Sequence, residues 1–177
     1  MAATHSFEGD QEIYLLTEGG KIAKRLTKNW NIDVHPTFSP DGKKMAFVSK
    51  RFGNPQVFIQ DLDSGSVRRL TYEGKYNTQP NWSPVGDRIA FSGMEGGRND
   101  IYAIGVDGGG LTRLTYGAGS NESPSWSPDG SMVVFSSNRL GRSRIFVMTA
   151  SGTDQRVLLE LPGEKTSPTW SLAVKNN

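Results

Sequence analysis

The feature that most constrains the fold is a four-residue phrase that returns every 44 residues. Each copy consists of a proline, a small polar residue, an aromatic residue and a serine. The copies begin at Pro36, Pro80, Pro124 and Pro168. A second aromatic series keeps the same interval, at Tyr14, Phe58, Tyr102 and Phe146. A period of about 40 to 45 residues is typical of a four-stranded propeller blade. The sequence therefore predicts an all-β fold, a β-propeller of four 44-residue WD-like blades.

The register of the repeat also predicts the domain organisation. It places the first residue inside one repeat and the last residues just after the first strand of another. We expect a single propeller domain over residues 1–177, with the last blade shared between the two termini. Strand 169–172 should then pair with strands from residues 2–6 onward, within one chain or between two chains. Without that pairing, open blade edges favour self-association.

The charge, hydrophobicity and cysteine content of the chain exclude several classes of function. The 20 basic and 18 acidic residues are interspersed along the chain, which is typical of a solvated surface and does not favour nucleic-acid binding. No stretch reaches the roughly 18 apolar residues of a membrane span. Nothing at the N-terminus resembles an export signal. Because the chain has no cysteine, thiol catalysis and thiolate metal sites are excluded.

The sequence contains few residues or motifs of the kinds that catalyse reactions. There are only two histidines, His5 and His35, and no Gly-x-Ser-x-Gly elbow that would present a serine nucleophile. Asp61 and Asp63 form an Asp-x-Asp-x-Gly turn that lacks the further ligands of a calcium loop. Asp33 and Glu122 leave open a cation at the mouth of the central channel. We predict a non-enzymatic protein with no cofactor and commit to no metal site.

The loops that join each outer strand to the next inner strand are the candidate binding site. They cover residues 28–35, 73–79, 117–123 and 163–167, and they differ in sequence while the strands stay uniform. In a propeller these loops emerge on one face around the channel, where a rigid scaffold carries function. The predicted polar contacts are Asp33, His35, Asn77, Thr78, Asn121 and Glu122, and the predicted apolar anchors are Trp30 and Tyr76. Alternatively, the two aromatic residues cover neighbouring blades, and His35 is a polar loop residue.

Several parts of the repeat resemble the WD-like propeller repeat of the TolB family. They are the turn Ser-Pro-Asp-Gly at 39–42, the strand Met-Ala-Phe-Val-Ser at 45–49, the Val-Phe-Ile at 57–59 and the Arg-Arg-Leu-Thr at 68–71. The resemblance implies a part of a six-bladed propeller from the periplasmic Tol-Pal envelope system. It also implies protein partners: a Pal-like lipoprotein, a TolA-like protein and colicin-type peptides. Neither nucleic acid nor direct membrane insertion is expected.

The same repeat occurs in the propellers of prolyl-oligopeptidase-like and tricorn-like peptidases. The chain could therefore be a regulatory or gating propeller separated from its catalytic domain. The end of the sequence soon after Trp170 and Ser171 favours the TolB interpretation, because no hydrolase domain follows.

Overall fold

The computed structural model describes residues 1–6, 9–117, 119–160 and 162–171. These residues form strands and turns with no helix, so no helix in these ranges could cross a membrane. The predicted all-β propeller fold is confirmed. The first sheet has three strands, and the next three sheets have four strands each. We call these sheets the first to fourth blades.

All neighbouring strands are antiparallel and follow chain order within each blade. The first blade contains β1 (Ala2–His5), β2 (Glu12–Leu16) and β3 (Ile22–Arg25). The second contains β4 (Asp33–Phe38), β5 (Lys44–Ser49), β6 (Gln56–Asp61) and β7 (Val67–Arg69). The third contains β8 (Asn77–Trp82), β9 (Arg88–Glu95), β10 (Arg98–Gly105) and β11 (Thr112–Arg113). The fourth contains β12 (Asn121–Trp126), β13 (Met132–Ser137), β14 (Arg144–Thr149) and β15 (Arg156–Val157).

The Ser-Pro-Asp-Gly phrase closes the turn between an inner strand and the next strand. Ser39 donates to Oδ1 of Asp41 at 2.5 Å, and the amide of Gly42 donates to the carbonyl of Ser39 at 2.9 Å. Gly42 has a φ of 69°, a left-handed conformation that glycine adopts without steric cost. The fourth blade repeats this turn, and its hydrogen bonds lower the pKa of Asp129 to about 2.

The core consists of apolar side chains that pack between neighbouring blades. In one cluster, Val57, Ile59 and Leu70 of the second blade contact Ile89 and Phe91 of the third. The tryptophans of the repeated phrase wedge into these seams as predicted: Trp82 and Trp126 are both buried. Burial of such aromatic side chains holds consecutive blades together.

The inner strands begin three to four residues earlier than the sequence predicted. Asp33, Asn77 and Asn121 are the first residues of β4, β8 and β12, not loop residues. Each inner strand then contains a register shift, for example between Val34 and Thr37. The shift includes the proline of the phrase, which has no amide to donate to the ladder. The predicted loops 28–35, 73–79 and 117–123 are therefore too long at their C-terminal ends.

The described ends of the chain do not pair with each other. β1 bonds only to β2, and no described strand of the first blade contacts the fourth blade. Residues 162–171 form no strand, but Trp170 packs against Val134, Ile145 and Val147 of the fourth blade. The intrachain pairing predicted for the termini is absent from the described residues, and Leu172 lies outside them. Pairing between two chains stays a prediction.

Candidate protein-binding surface

Strand direction gives the blades two different ends. Because the strands alternate in direction, the outer-to-inner connections share one end with the connections between β5 and β6, β9 and β10, and β13 and β14. We call this the loop end. The tight turns that follow each inner strand, such as 39–43, lie at the opposite turn end.

The loop end carries every strongly exposed aromatic side chain in the described part of the protein. The exposed fractions are 90% for Trp30, 72% for Tyr72, 70% for Phe52, 67% for Tyr116 and 40% for Tyr76. Such a concentration is unusual for a surface in contact with water alone, because aromatic residues are enriched at protein interfaces. We call these five residues the aromatic rim.

Only Trp30 and Tyr76 of the aromatic rim were predicted from the sequence. With 90% of its surface exposed, Trp30 does not cover the end of a neighbouring blade, whereas Tyr76 is partly covered. Tyr72 and Tyr116 were missed, although each follows a Leu-Thr pair and they lie 44 residues apart. This repeated Leu-Thr-Tyr was the available signal. Phe52 has no counterpart in register and offered none.

Two tyrosines of the rim are held by arginines of the outer strands. The guanidinium carbon of Arg69 lies 4.8 Å from the Tyr72 ring centre, and that of Arg113 lies 5.2 Å from Tyr116. Each arginine is itself fixed, since its Nε donates to the carbonyl of the threonine two residues later, at 2.6 and 3.0 Å. The stacked rings are ordered before a partner arrives, which reduces the entropy cost of binding.

One unusual backbone position recurs in the repeat and lines a shared concavity between the inner strands, whose surface we call the channel wall. His35, Gln79, Ser123 and Ser167 have φ angles of 53°, 52°, 56° and 52°. Non-glycine residues in this left-handed region cost roughly 1 to 2 kcal/mol each. All four border an open concavity of about 220 Å³, together with the prolines that follow them. The strain places a polar side chain on the channel wall in every repeat.

Hydrogen bonds fix one part of this wall. Oε1 of Gln79 accepts from the Ser92 hydroxyl at 2.8 Å and from the amide of Ser123 at 3.0 Å, which links the third blade to the fourth. His35 is an exposed residue that borders the concavity, and partial desolvation by the surrounding protein lowers its pKa. It is a neutral, polar group of the wall at neutral pH.

Three predicted contact residues lie inside the blades. Asp33, Asn77 and Asn121 are buried, and each uses its side chain within the chain. Asp33 pairs with Arg51 at 3.1 Å, Asn77 donates to Gln56 at 2.8 Å, and Asn121 donates to Asp100 at 2.9 Å. Each of these three side chains therefore has a structural function inside its blade.

The other predicted polar residues differ in accessibility. Thr78 is buried. Glu122 is half-buried and accepts hydrogen bonds from Asn99 and Ser120, both at 2.8 Å. The described residues contain no group of three or more histidine, aspartate or glutamate side chains that could hold a metal. Asp33 and Glu122 therefore belong to no such cluster in this part of the chain.

Comparison with known proteins agrees with this architecture. The family model of the TolB beta propeller domain matches residues 1–174. A segment of 65 residues is 60% identical to a TolB homolog of Chlorobium luteolum, and a segment of 55 residues is 40% identical to the Tol-Pal system protein TolB of Bordetella pertussis. These segments are 37% and 30% of this chain, but only 15% and 13% of the two relatives.

Solved structures give a longer match. A TolB-type protein of Agrobacterium tumefaciens superposes with a TM-score of 0.86 at 32% identity, over 96% of this chain and 65% of that one. TolB from Acinetobacter baumannii gives 0.78 at 30% identity, over 94% of this chain and 42% of that one. Prolyl endopeptidases match at only 20% identity with a TM-score of 0.63, so that likeness shows the fold alone. By sequence and by structure, the chain belongs to the TolB β-propeller family.

Proposed function

We propose that this chain is part of a periplasmic TolB-type scaffold that binds protein partners at its loop end and channel mouth, without catalysing a reaction. The partners are a Pal-like lipoprotein and short peptide segments, with a TolA-like protein of the same system as a further candidate. The observation that carries the proposal is the aromatic rim, five exposed aromatic side chains on one end of the blades.

The two ends of the blades differ in a way that supports protein binding at the loop end. The turn end also exposes an apolar residue, Val85, but no aromatic residue of the described chain is strongly exposed there. Tryptophan and tyrosine are the residue types most enriched among binding hot spots, because they bury a large area at a small cost in side-chain entropy. Trp30 has the largest exposed fraction in the aromatic rim, so its side chain has no packing role inside the blades.

The channel wall supplies a second, polar part of the proposed site. His35, Gln79, Ser123 and Ser167 line the concavity at the same register, and each is available in a strained but fixed backbone position. An extended peptide entering the channel would meet donors and acceptors at a regular spacing. Of the polar residues predicted from the sequence, His35 and Glu122 keep a direct contact role in this proposal. Asp33, Asn77, Thr78 and Asn121 would act by holding the wall.

Calorimetric titration with the soluble domain of the Pal protein from the same genome tests the proposal. The Trp30→Ala, Tyr76→Ala double variant should bind at least about thirtyfold more weakly, since a single hot-spot residue already contributes about 2 kcal/mol. The matched control is Val85→Ser, which removes an apolar side chain of similar exposure from the turn end. It should bind like the unmodified protein. Equal affinity for all three proteins would contradict the proposal, as would a loss confined to Val85→Ser.

A further inference from the structure

Two blades contain an internal arginine that fills a site beside the loop end. In the second blade, the guanidinium carbon of Arg51 lies 5.2 Å from the ring centre of Phe47 and 4.9 Å from that of Phe58. Its Nε donates to the Ser49 hydroxyl at 2.9 Å, and a terminal nitrogen donates to Asp33 at 3.1 Å. The site thus offers an aromatic pair, a hydroxyl and a side-chain oxygen to one guanidinium.

The fourth blade repeats this arrangement 44 × 2 residues later, with Arg139. Its guanidinium carbon lies 4.7 Å from the ring centre of Phe146. Nε donates to Ser137 at 2.9 Å, and a terminal nitrogen donates to Asn121 at 2.8 Å. A further bond of 2.7 Å joins Arg139 to Gln155, the residue before the outer strand β15. The same aromatic, serine and Asp/Asn positions thus hold a guanidinium group in two different blades.

The third blade keeps the surroundings but lacks the arginine. Phe91 and Tyr102 are stacked, with ring centres 5.6 Å apart, and Asn77 stands where Asp33 and Asn121 stand in the other blades. Glu95 occupies the register position of the arginine, and Gly93 occupies that of the serine. At this place there is a cavity of about 260 Å³, lined by all five residues.

The same cavity extends toward the outer strand of the third blade. Two further differences from the fourth blade keep it open there. Leu111 stands at the register position of Gln155. A Cβ added to Gly108 would meet no atom within 4 Å, whereas one added to its counterpart Gly152 would lie 2.7 Å from the carbonyl oxygen of Leu114. The seam between the second and third blades is therefore wider here than the seam between the third and fourth.

Asn77 and Glu95 offer acceptor oxygens to the cavity. Asn77 is buried, and its Nδ2 donates to Gln56 and to the carbonyl of Glu73, at 2.8 and 2.7 Å. Its Oδ1 is directed to the cavity side, 2.9 Å from the place that a Cβ on Gly93 would take. At the mouth of the cavity, Oε2 of the exposed Glu95 carboxylate accepts from Arg113 at 3.1 Å and from the Tyr102 hydroxyl at 3.3 Å, which leaves Oε1 for a further donor.

We infer that this cavity binds the side chain of an arginine from a partner protein. The guanidinium would stack on the Phe91–Tyr102 pair, donate to Oδ1 of Asn77 and pair with Glu95, in the position that Arg51 and Arg139 take in the other blades. Arg113 stands 5.9 Å from Tyr102, but Asp100 and Glu95 both pair with it and offset its charge. The inference goes beyond the proposed function, because it assigns a guanidinium site to the seam between two blades, which borders Tyr72 of the aromatic rim but belongs neither to the rim contacts nor to the channel.

The test uses the 177-residue chain labelled with ¹³C at its methionine methyl groups, since Met94 lines the cavity. N-acetyl-arginine methylamide should shift the Met94 signal in a saturable way, with a dissociation constant in the millimolar range. The citrulline analogue has nearly the same shape but no charge. It should bind at least about tenfold more weakly, because a charge-assisted hydrogen bond is roughly twice as strong as a neutral one.

Two variants make the result specific. Glu95→Arg supplies the cavity with its own arginine and should abolish the Met94 shift. Glu95→Gln keeps the shape and should weaken binding several-fold, and it is the variant to use if Glu95→Arg does not fold. The inference is overturned if citrulline binds as tightly as arginine, if both variants bind like the unmodified chain, or if Met94 does not shift up to the solubility limit. No Pal-like partner is involved, so failure here is distinct from failure of the proposed function.

Discussion

The backbone amide of Trp126 donates a hydrogen bond to Oδ1 of Asn81, with a nitrogen–oxygen distance of 3.0 Å. This bond joins the inner strand of the fourth blade to that of the third. The amide of Trp82 bonds in the same way to Thr37 at 3.2 Å, and that of Trp170 to Ser125 at 3.4 Å. In each case the small polar residue of one phrase holds the aromatic residue of the next. The phrase that identifies the repeat is thus also a connection between blades.

Removing one of these connections should destabilise the protein. Asn81→Ala leaves the Trp126 amide without its acceptor in a part-buried seam, so the free energy of unfolding should fall by about 1 to 2 kcal/mol. Urea denaturation measures the change. Thr169→Ala is the matched control, because Thr169 has the same register and no following phrase within the chain. A similar loss in both variants would mean that the connection does not matter.

Asn77 and Asn121 occupy the position of Asp33 in the third and fourth blades. Asparagine should therefore be tolerated at position 33 as well. Burial raises the pKa of Asp33, nearby Glu12 adds to the rise, and Ser49 and Arg51 oppose it. Since the folded pKa is above its ordinary value of 3.8, the contribution of Asp33 to stability is greatest below that value. It is lost as the pH rises through the folded pKa.

Asp33→Asn removes the buried carboxylate and allows the same bond to Arg51 that Asn121 makes with Arg139. We expect a gain of about 1 kcal/mol near pH 7 and a smaller gain near pH 4. Urea denaturation at both pH values measures it. Asp154→Asn, at an exposed position, should show neither effect. A loss of stability near pH 7 that is absent near pH 4 would show that the Asp33–Arg51 ion pair outweighs the cost of burial.

Truncation of Trp170 should destabilise the protein, whereas truncation of Trp30 should not. Trp170 packs against the fourth blade, so Trp170→Ala should cost roughly 1.5 to 3 kcal/mol and lower the Tm by several degrees. Trp30 is exposed, and Trp30→Ala should leave the Tm unchanged. Differential scanning calorimetry of the two variants gives both values. A large loss on truncating Trp30 would remove it from the aromatic rim and give it a packing role.

His35 should make stability depend on pH below neutrality. Its pKa is lowered in the folded protein, so the unfolded chain binds a proton more readily and stability falls as the pH drops from about 6.5 through the folded pKa. His35→Gln places the residue of position 79 in the same backbone conformation and removes the titrating group. The decline over this pH range should become shallower in the variant. Identical pH profiles for the two proteins would contradict the assigned burial.

The sequence predicted the blades well because each strand and turn is local and repeats. Tyr102 and Phe146, for example, could be placed on third strands by register alone. The start of the inner strand was misplaced because Asp33, Asn77 and Asn121 are polar residues that usually indicate loops. Their partners lie on other strands and are not visible from a local pattern. The left-handed positions were missed for a related reason, since histidine, glutamine and serine do not indicate positive φ as glycine does.

The sequence predicted only part of the aromatic rim, and the reason is again physical. Exposure depends on which strand ends meet in space, and the sequence does not show how far a loop side chain lies from its neighbours. Trp30 and Tyr76 were identified because they interrupt polar loops. Tyr72 and Tyr116 come three residues after the ends of the outer strands β7 and β11, and the sequence analysis did not single them out. The repeated Leu-Thr-Tyr could have drawn attention to them, but only the structure shows that both rings are exposed.

The most direct test of the proposed binding surface is hydrogen exchange of the protein with and without the soluble domain of the Pal protein from the same genome. Backbone amides around Trp30, Tyr72 to Tyr76 and Tyr116 should become protected, together with those of the inner strand beginning at Asp33. The turns 39–43, 61–66 and 83–87 at the opposite end should exchange at the same rate in both states. Protection confined to those turns, with no change around Trp30 and Tyr76, would contradict the account.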